Sequence, residues 1–82
     1  MKIEVFGPGC ARCESLAASV KLAAERLGID YELCKVTDLA EMAKRGIMVT
    51  PALVLDGEVE LTGKVPTEDE LVELLKTRSG GA

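Results

Sequence analysis

The sequence predicts an α/β fold built on a mixed four-stranded sheet with helices on both faces. Strand-like and helix-like apolar spacings alternate in its first half, which predicts a right-handed crossover between two parallel strands. Asp56-Gly57 separates two further apolar runs and is the strongest short-range signal for an antiparallel hairpin. A last helical pattern completes the order strand, helix, strand, helix, hairpin, helix.

The first half of the chain supplies a strand, a helix and a second strand. Residues 2–6 alternate polar and apolar side chains, and Gly-Pro-Gly then breaks the pattern. Apolar residues recur at helical spacing over residues 11–27, and Gly28 suits the left-handed position that ends a helix. Residues 29–36 are rich in strand-forming side chains and predict the second strand.

A short second helix has sequence signals at both of its ends. Thr37 or Asp38 begins it, and Glu41 stands three residues after Asp38, as in a capping box. Gly46 provides the residue that ends it.

The last third of the chain predicts a hairpin and a helix. The hairpin strands are expected at residues 51–55 and 58–61, on either side of the Asp-Gly turn. Thr67 and Glu70 form a second capping box, which predicts that the final helix begins there.

Composition places the chain among small globular proteins. Apolar residues make up 48% and charged residues 29%, which supports a packed core and argues against disorder. One domain is expected over residues 1–77, followed by a flexible C-terminal tail at residues 78–82.

The charge and hydropathy patterns argue against two classes of partner. The net charge is −4 and the Lys and Arg residues are scattered, so no basic stripe is present to bind nucleic acid. The apolar runs are only a few residues long, so no segment is expected to span a membrane. The N-terminus lacks the charged and then apolar layout of a signal peptide, and the expected location is cytoplasmic.

Cysteine usage points to thiol chemistry. Three cysteines form an odd set, which fits catalytic or metal-binding thiols in a reducing compartment better than a disulfide framework. The sequence has no His, so proton transfer would fall to carboxylates, Lys, Tyr or thiols. Cys34 has no partner at motif spacing and is expected to pack in the core, with a third metal ligand or a regulatory thiol as the alternatives.

Cys10 and Cys13 form a C-x-x-C pair at the predicted start of the first helix. Side chains three apart on a helix are neighbours, so the two sulfurs could close a disulfide. The unpaired N–H groups of a helix N-terminus favour a thiolate at Cys10, and Arg12 is a candidate for tuning it from a solvent-facing position. The same pair could clamp Cu(I) or Zn(II), or be incidental, and the motif by itself leaves the three interpretations open.

Thr50 and Pro51 supply a second signal. Proline cannot donate a ladder hydrogen bond, so its position at the mouth of an apolar strand is unusual. Further motifs are C-A-R-C after the first strand, the D-G-E-V hairpin, and Gly63 after the fourth strand. With these motifs the chain resembles the thioredoxin superfamily in its glutaredoxin-sized form, and most of all the small redox-active disulfide proteins of archaea and bacteria. The resemblance covers residues 1–77.

The resemblance implies a thioredoxin-like thiol-disulfide oxidoreductase of βαβαββα topology. Cys10 would attack a substrate disulfide, and Cys13 would resolve the mixed disulfide. The Thr50–Pro51 bond would be cis, with Pro51 against the two sulfurs and Thr50 pairing its backbone with the substrate chain. The expected partners are disulfide-containing proteins and a disulfide reductase or other electron donor. A monomer without a cofactor or a bound metal is expected.

Glu4 lies six residues before Cys10, the offset at which thioredoxins carry a buried acid that exchanges a proton with the second cysteine. Two interpretations of this carboxyl group are open. It is a candidate proton acceptor for Cys13, or it is a carboxylate near the strand's edge that is solvated or paired with Lys2 or Lys35.

Departures from the thioredoxin pattern keep other functions in view. Gly9 replaces the aromatic residue before the first cysteine, and Ala11-Arg12 replaces Gly-Pro between the cysteines. A copper-type metallochaperone of the heavy-metal-associated fold also places C-x-x-C after its first strand. Such domains usually carry Met where this chain has Pro8, and they end in a strand rather than a helix. A peptide-binding module using the groove beside Pro51 is the third candidate, and the intact cysteine pair argues against it.

Overall fold

The computed structural model describes residues 1–9 and 11–78. The elements follow the predicted βαβαββα order and have these bounds: β1 (Lys2–Phe6), α1 (Ala11–Leu27), β2 (Glu32–Val36), α2 (Leu39–Lys44), β3 (Ala52–Leu55), β4 (Glu58–Thr62) and α3 (Glu68–Arg78). Within these ranges, no helix combines the length and the apolar character needed to cross a bilayer.

The four strands form a mixed sheet in the order β2-β1-β3-β4, and the predicted fold class is confirmed. β1 runs parallel to β2, because α1 carries the chain back across the sheet between them. β3 runs antiparallel to both β1 and β4, and the tight turn between β3 and β4 has positive φ at Asp56 and Gly57. β1 and β3 are therefore the inner strands, with neighbours on both sides.

α1 and α3 cover one face of the sheet and build the larger apolar cluster. Ile3 and Val5 from β1 meet Leu53 and Leu55 from β3 on this face. The helices contribute side chains that are also buried, namely Leu16, Ala17, Val20, Ala23, Ala24, Leu71 and Leu75. Each fully buried Leu or Ile here contributes about 1.5–3 kcal/mol relative to an exposed side chain. This cluster fixes α1 against the sheet.

α2 covers the opposite face over a smaller apolar cluster. Phe6, Ala52 and Val54 from the sheet pack there with Met42 and Ile47. Because strand side chains alternate between faces, Glu4 of β1 also projects toward this face. The sheet is thus covered by helices on both of its faces, as the sequence predicts.

Two local predictions need correction. β2 begins at Glu32 rather than at residue 29, because the N–H groups of Gly28 and Ile29 donate to carbonyls in the last turn of α1. The capping box at α2 is only half formed: Asp38 accepts from the N–H of Ala40 at 2.8 Å, whereas Glu41 pairs with Lys44.

The predicted C-terminal tail wrongly includes Arg78. Arg78 is the last residue of α3, and its guanidinium forms ion pairs with Glu58 and Glu60 of β4 and donates to the carbonyl of Leu55. These contacts tie the helix end to the hairpin and exclude residue 78 from a flexible tail. Residues 79–82, the rest of that predicted tail, lie outside the described residues.

The capping box of α3 forms as predicted. The N–H of Thr67 donates to Oε1 of Glu70 at 3.1 Å, and the N–H of Glu70 donates to Oγ1 of Thr67 at 3.2 Å. Two N–H groups at the helix start are thereby satisfied reciprocally. Three acidic residues in the first turn of α3 also suit the positive end of the helix dipole.

Thr67→Ala is expected to lower the free energy of unfolding by about 1 kcal/mol, because the N–H of Glu70 loses its acceptor. The loss should be visible in urea-induced unfolding, since α3 packs against α1 and unfolds with the whole domain. Thr77→Ala is the matched control at the other end of α3, where the hydroxyl donates to the carbonyl of Glu73. An equal loss in the two variants would contradict the capping role of Thr67.

Candidate active site

Three segments converge at the carboxyl end of β1: the turn after β1, the first turn of α1, and the loop before β3. Gly7 shows how closely they approach. A Cβ atom placed on Gly7 would overlap Sγ of Cys13 and would lie 3.8 Å from Cβ of Thr50. Cys13 and Thr50 therefore border the same small space, and the sulfur packs directly on the backbone of the β1–α1 turn.

Cys13 is the third residue of α1, and only 5% of its surface is exposed. Its burial follows from the helical repeat, because Leu16, Ala17 and Val20 continue the same apolar stripe. Cys10, its partner in the C-x-x-C motif, lies outside the described residues. The nucleophilic role predicted for Cys10 stays a prediction.

The Thr50–Pro51 peptide bond is cis, the isomer that the resemblance implies. Pro51 is fully buried, whereas Thr50 is half-buried and remains open to an approaching molecule. The carbonyl of Pro51 accepts a hydrogen bond of 2.7 Å from the N–H of Gly63, in the loop that follows β4. The segment that precedes β3 is thus hydrogen-bonded to the residue that follows β4, at the open end of the hairpin.

Arg12 occupies a different position from the one the sequence predicts. Its side chain is exposed, but its Nη2 donates a hydrogen bond of 2.9 Å to the carbonyl of Gly63. The guanidinium therefore lies against the loop after β4 rather than pointing freely to solvent. The sequence could not reveal this contact, because it joins residues 51 positions apart.

Glu4 is buried, with 7% of its surface exposed, so the interpretation of this residue as a solvated carboxylate near the strand's edge is wrong. The reason is that β1 is an inner strand rather than an edge strand. Its Oε1 lies 3.6 Å from Nη2 of Arg45, the C-cap residue of α2, so the predicted pairing with Lys2 or Lys35 is also replaced. The Arg45 guanidinium lies 5.6 Å from the centroid of the Phe6 ring as well.

Cys34 departs from the prediction that it is a core residue. It is half-buried in β2, an edge strand, and its Sγ lies 3.9 Å from Oε1 of Glu32. An edge strand leaves one side of each residue uncovered, which explains the partial exposure. Across residues 1–9 and 11–78, no cluster of three or more His, Cys, Asp or Glu side chains is arranged to hold a metal ion.

Gly7 and Gly63 are the site residues whose roles the sequence analysis missed. Gly7 has no positive φ, so the turn itself does not demand glycine there; the Cys13 sulfur does. Gly63 has φ of 71°, and a Cβ atom there would lie 2.7 Å from Cγ1 of Val49. The sequence signal that could have indicated both glycines is their position just after a predicted strand.

A family model described as a thioredoxin domain matches residues 1–76. The chain belongs to the thioredoxin family. A thioredoxin of Methanothermobacter thermautotrophicus is 35% identical over 75 residues, which cover 92% of this chain and 97% of that protein. A thioredoxin of Methanocaldococcus jannaschii is 43% identical over 75 residues, covering 92% of this chain and 86% of that protein.

The fold agrees with this membership. The structure of thioredoxin 1 from the thermophilic eubacterium Thermosipho africanus aligns with a TM-score of 0.63 at 22% identity, covering 98% of this chain and 96% of the other. The predicted activity class is confirmed by the family: the protein is a thiol-disulfide oxidoreductase of the protein disulfide reductase type. The metallochaperone alternative receives no support from these matches.

Gly7→Ala is expected to lower the free energy of unfolding by about 1–3 kcal/mol, because the new methyl group has no room beside Sγ of Cys13. Urea-induced unfolding of the reduced protein measures the loss. In a Cys13→Ala background the sulfur is gone, so the same substitution should cost less than half as much. An equal loss of unfolding free energy in the two backgrounds would show that the sulfur does not fill that space.

Proposed function

We propose that the protein reduces disulfides in other proteins, with Cys10 as the nucleophile and Cys13 as the resolving thiol. The observation that carries this proposal is the position of Cys13, buried in the first turn of α1 against Gly7 and beside Thr50. A buried sulfur is shielded from a bulky substrate but can attack a bond formed by a near neighbour. Cys10, three residues earlier, supplies that neighbour.

The proposed reaction has two thiol-disulfide exchange steps. The Cys10 thiolate attacks one sulfur of the substrate disulfide, forms a mixed disulfide and releases the other substrate sulfur as a thiolate. The Cys13 thiolate then attacks Sγ of Cys10 and releases the first substrate sulfur. The substrate gains two electrons, and the protein is left with a Cys10–Cys13 disulfide that an external dithiol or reductase must reduce.

The place of Cys10 in the chain supports its assignment as the thiolate. It directly precedes Ala11, where α1 begins. The first N–H groups of a helix have no partner within the helix and carry partial positive charge, both of which stabilise a nearby anion. Attack by a thiolate is the reactive step in exchange, so a lowered pKa at this position would increase the reactive fraction at neutral pH.

The surface beside Thr50 and Pro51 suits an extended substrate segment. Thr50 is half-buried, and the two residues before it, Met48 and Val49, are 90% and 54% exposed. Apolar side chains held at the surface directly before Thr50 would contact the chain that carries the substrate disulfide. We assign substrate docking to Thr50 and Pro51 on this basis.

The remaining assignments concern partners and proton transfer. The natural oxidant would be a protein disulfide, and the natural reductant a disulfide reductase or other electron donor. We propose that the protein works as a monomer in the cytoplasm, in electron transport that maintains thiols in the reduced state. Glu4 is a candidate proton acceptor for Cys13, and its ion pair with Arg45 fixes where its carboxylate lies.

Cys10→Ser should reduce insulin disulfide reduction to the uncatalysed rate, because the serine hydroxyl cannot form the mixed disulfide. Cys13→Ser should instead accumulate a covalent complex, seen by mass spectrometry as protein plus one substrate chain. Cys34→Ser is the control and should keep the wild-type rate. Turnover retained by Cys10→Ser would contradict the assigned roles.

The reduced protein should contain one thiol with a pKa below about 8, compared with about 8.5 for an ordinary cysteine. The measurement is the pH dependence of iodoacetamide alkylation, followed by peptide mass analysis. The alkylation step with the low pKa should be absent from Cys10→Ser and present in Cys34→Ser. An unshifted Cys10 thiol would remove the electrostatic basis of the first step.

A further inference from the structure

Arg12 reaches across the site and contacts the loop after β4. Its Nη2 donates to the carbonyl of Gly63 over 2.9 Å, while Arg12 itself lies in the first turn of α1, one residue before Cys13. The bond spans 51 positions of sequence. It therefore fixes the distance between a cysteine-bearing turn and a distant loop.

Gly63 extends this contact to the segment that precedes β3. Its carbonyl accepts from Arg12, and its N–H donates to the carbonyl of Pro51 over 2.7 Å. The backbone carbonyl and N–H of Gly63 are thus both hydrogen-bonded, one to α1 and the other to the segment before β3. Cγ1 of Val49 fills the space where a side chain at position 63 would begin, so the loop and the segment are also in direct contact.

We propose that Arg12 is a positioning residue. Through Gly63 it fixes where the first turn of α1 lies relative to the segment from Val49 to Pro51. The proposal rests on the function proposed above. Thiol-disulfide exchange requires the attacking sulfur and both sulfurs of the substrate disulfide to align. The proposed nucleophile directly precedes α1 in the chain, and the docking segment would hold the substrate disulfide, so a displacement of α1 relative to that segment would lower the rate.

Such a role differs from electrostatic tuning of the nucleophile. A guanidinium at the surface is screened by water and salt, and any cation at position 12 would exert the same field. The bond to the Gly63 carbonyl instead depends on the length and shape of the side chain. Positioning should matter for a substrate that docks on the Val49–Pro51 segment and should matter little for a small disulfide that does not.

The test compares Arg12→Met with the wild type on two disulfides. Insulin is the docking substrate, and bis(2-hydroxyethyl) disulfide is the small neutral one. The second-order rate constant for insulin should fall about tenfold, because a small displacement of reacting groups lowers a rate strongly. The rate constant for the small disulfide, which does not dock, should change less than about twofold. The pH profile of Cys10 alkylation should not move.

Two further variants complete the experiment. Arg12→Lys keeps the charge and a hydrogen-bonding ammonium group on a shorter side chain, and should recover part of the insulin rate. Lys21→Met removes one positive charge from the exposed side of the same helix and should leave both rates unchanged. Thermal unfolding of Arg12→Met should stay close to that of the wild type, since the bond is exposed.

Other outcomes overturn the proposal. A fall of equal size on both substrates, with the alkylation profile moved to higher pH, would make Arg12 a tuning residue for the thiolate. Unchanged rates on both substrates would make its contact with Gly63 incidental. In either case, wild-type Cys10 reactivity in the Cys34→Ser protein and inactivity of Cys10→Ser would show that the proposed function itself still holds.

Discussion

The site depends on the close packing of one sulfur atom against backbone. Cys13 reaches its position because α1 begins immediately after the β1–α1 turn, and because Gly7 has no side chain to keep the helix away. A larger residue at position 7 would push the first turn of α1 outward and separate Cys13 from Thr50. In the proposed mechanism resolution is an intramolecular attack by Cys13, so its rate would depend on where the packing against Gly7 holds this sulfur.

The two apolar clusters hold β1 in place from both faces of the sheet, and so they fix the turn against which Cys13 packs. Ile3 and Val5 are held by α1 and α3, while Phe6 is held by the cluster under α2. β1 also has β2 and β3 as neighbours on its two sides, so its carboxyl end cannot move without disrupting the centre of the sheet. The ion pair between buried Glu4 and half-buried Arg45 adds a contact between β1 and the end of α2.

Local sequence signals predicted the elements well because those elements are defined by neighbours in the chain. The α3 capping box joins Thr67 to Glu70, and the Asp56-Gly57 turn joins adjacent strands, so both patterns are visible in a few letters. The contacts that assemble the site join distant segments instead. Arg12 meets Gly63 and Glu4 meets Arg45, and no periodicity or spacing encodes which of several cations reaches a given partner.

In the proposed cycle the Cys10–Cys13 pair opens and closes, so other contacts have to hold the fold together. Many small domains rely on disulfides or metals because their cores are thin. Here apolar side chains pack on both faces of the sheet, and ion pairs at Arg26 and Arg78 join α3 to α1 and to the hairpin. A Cys10–Cys13 disulfide would close a loop of only four residues, for which the entropic stabilisation is at its smallest. Apolar packing and ion pairs, rather than a disulfide, would therefore hold the scaffold in place through the proposed redox cycle.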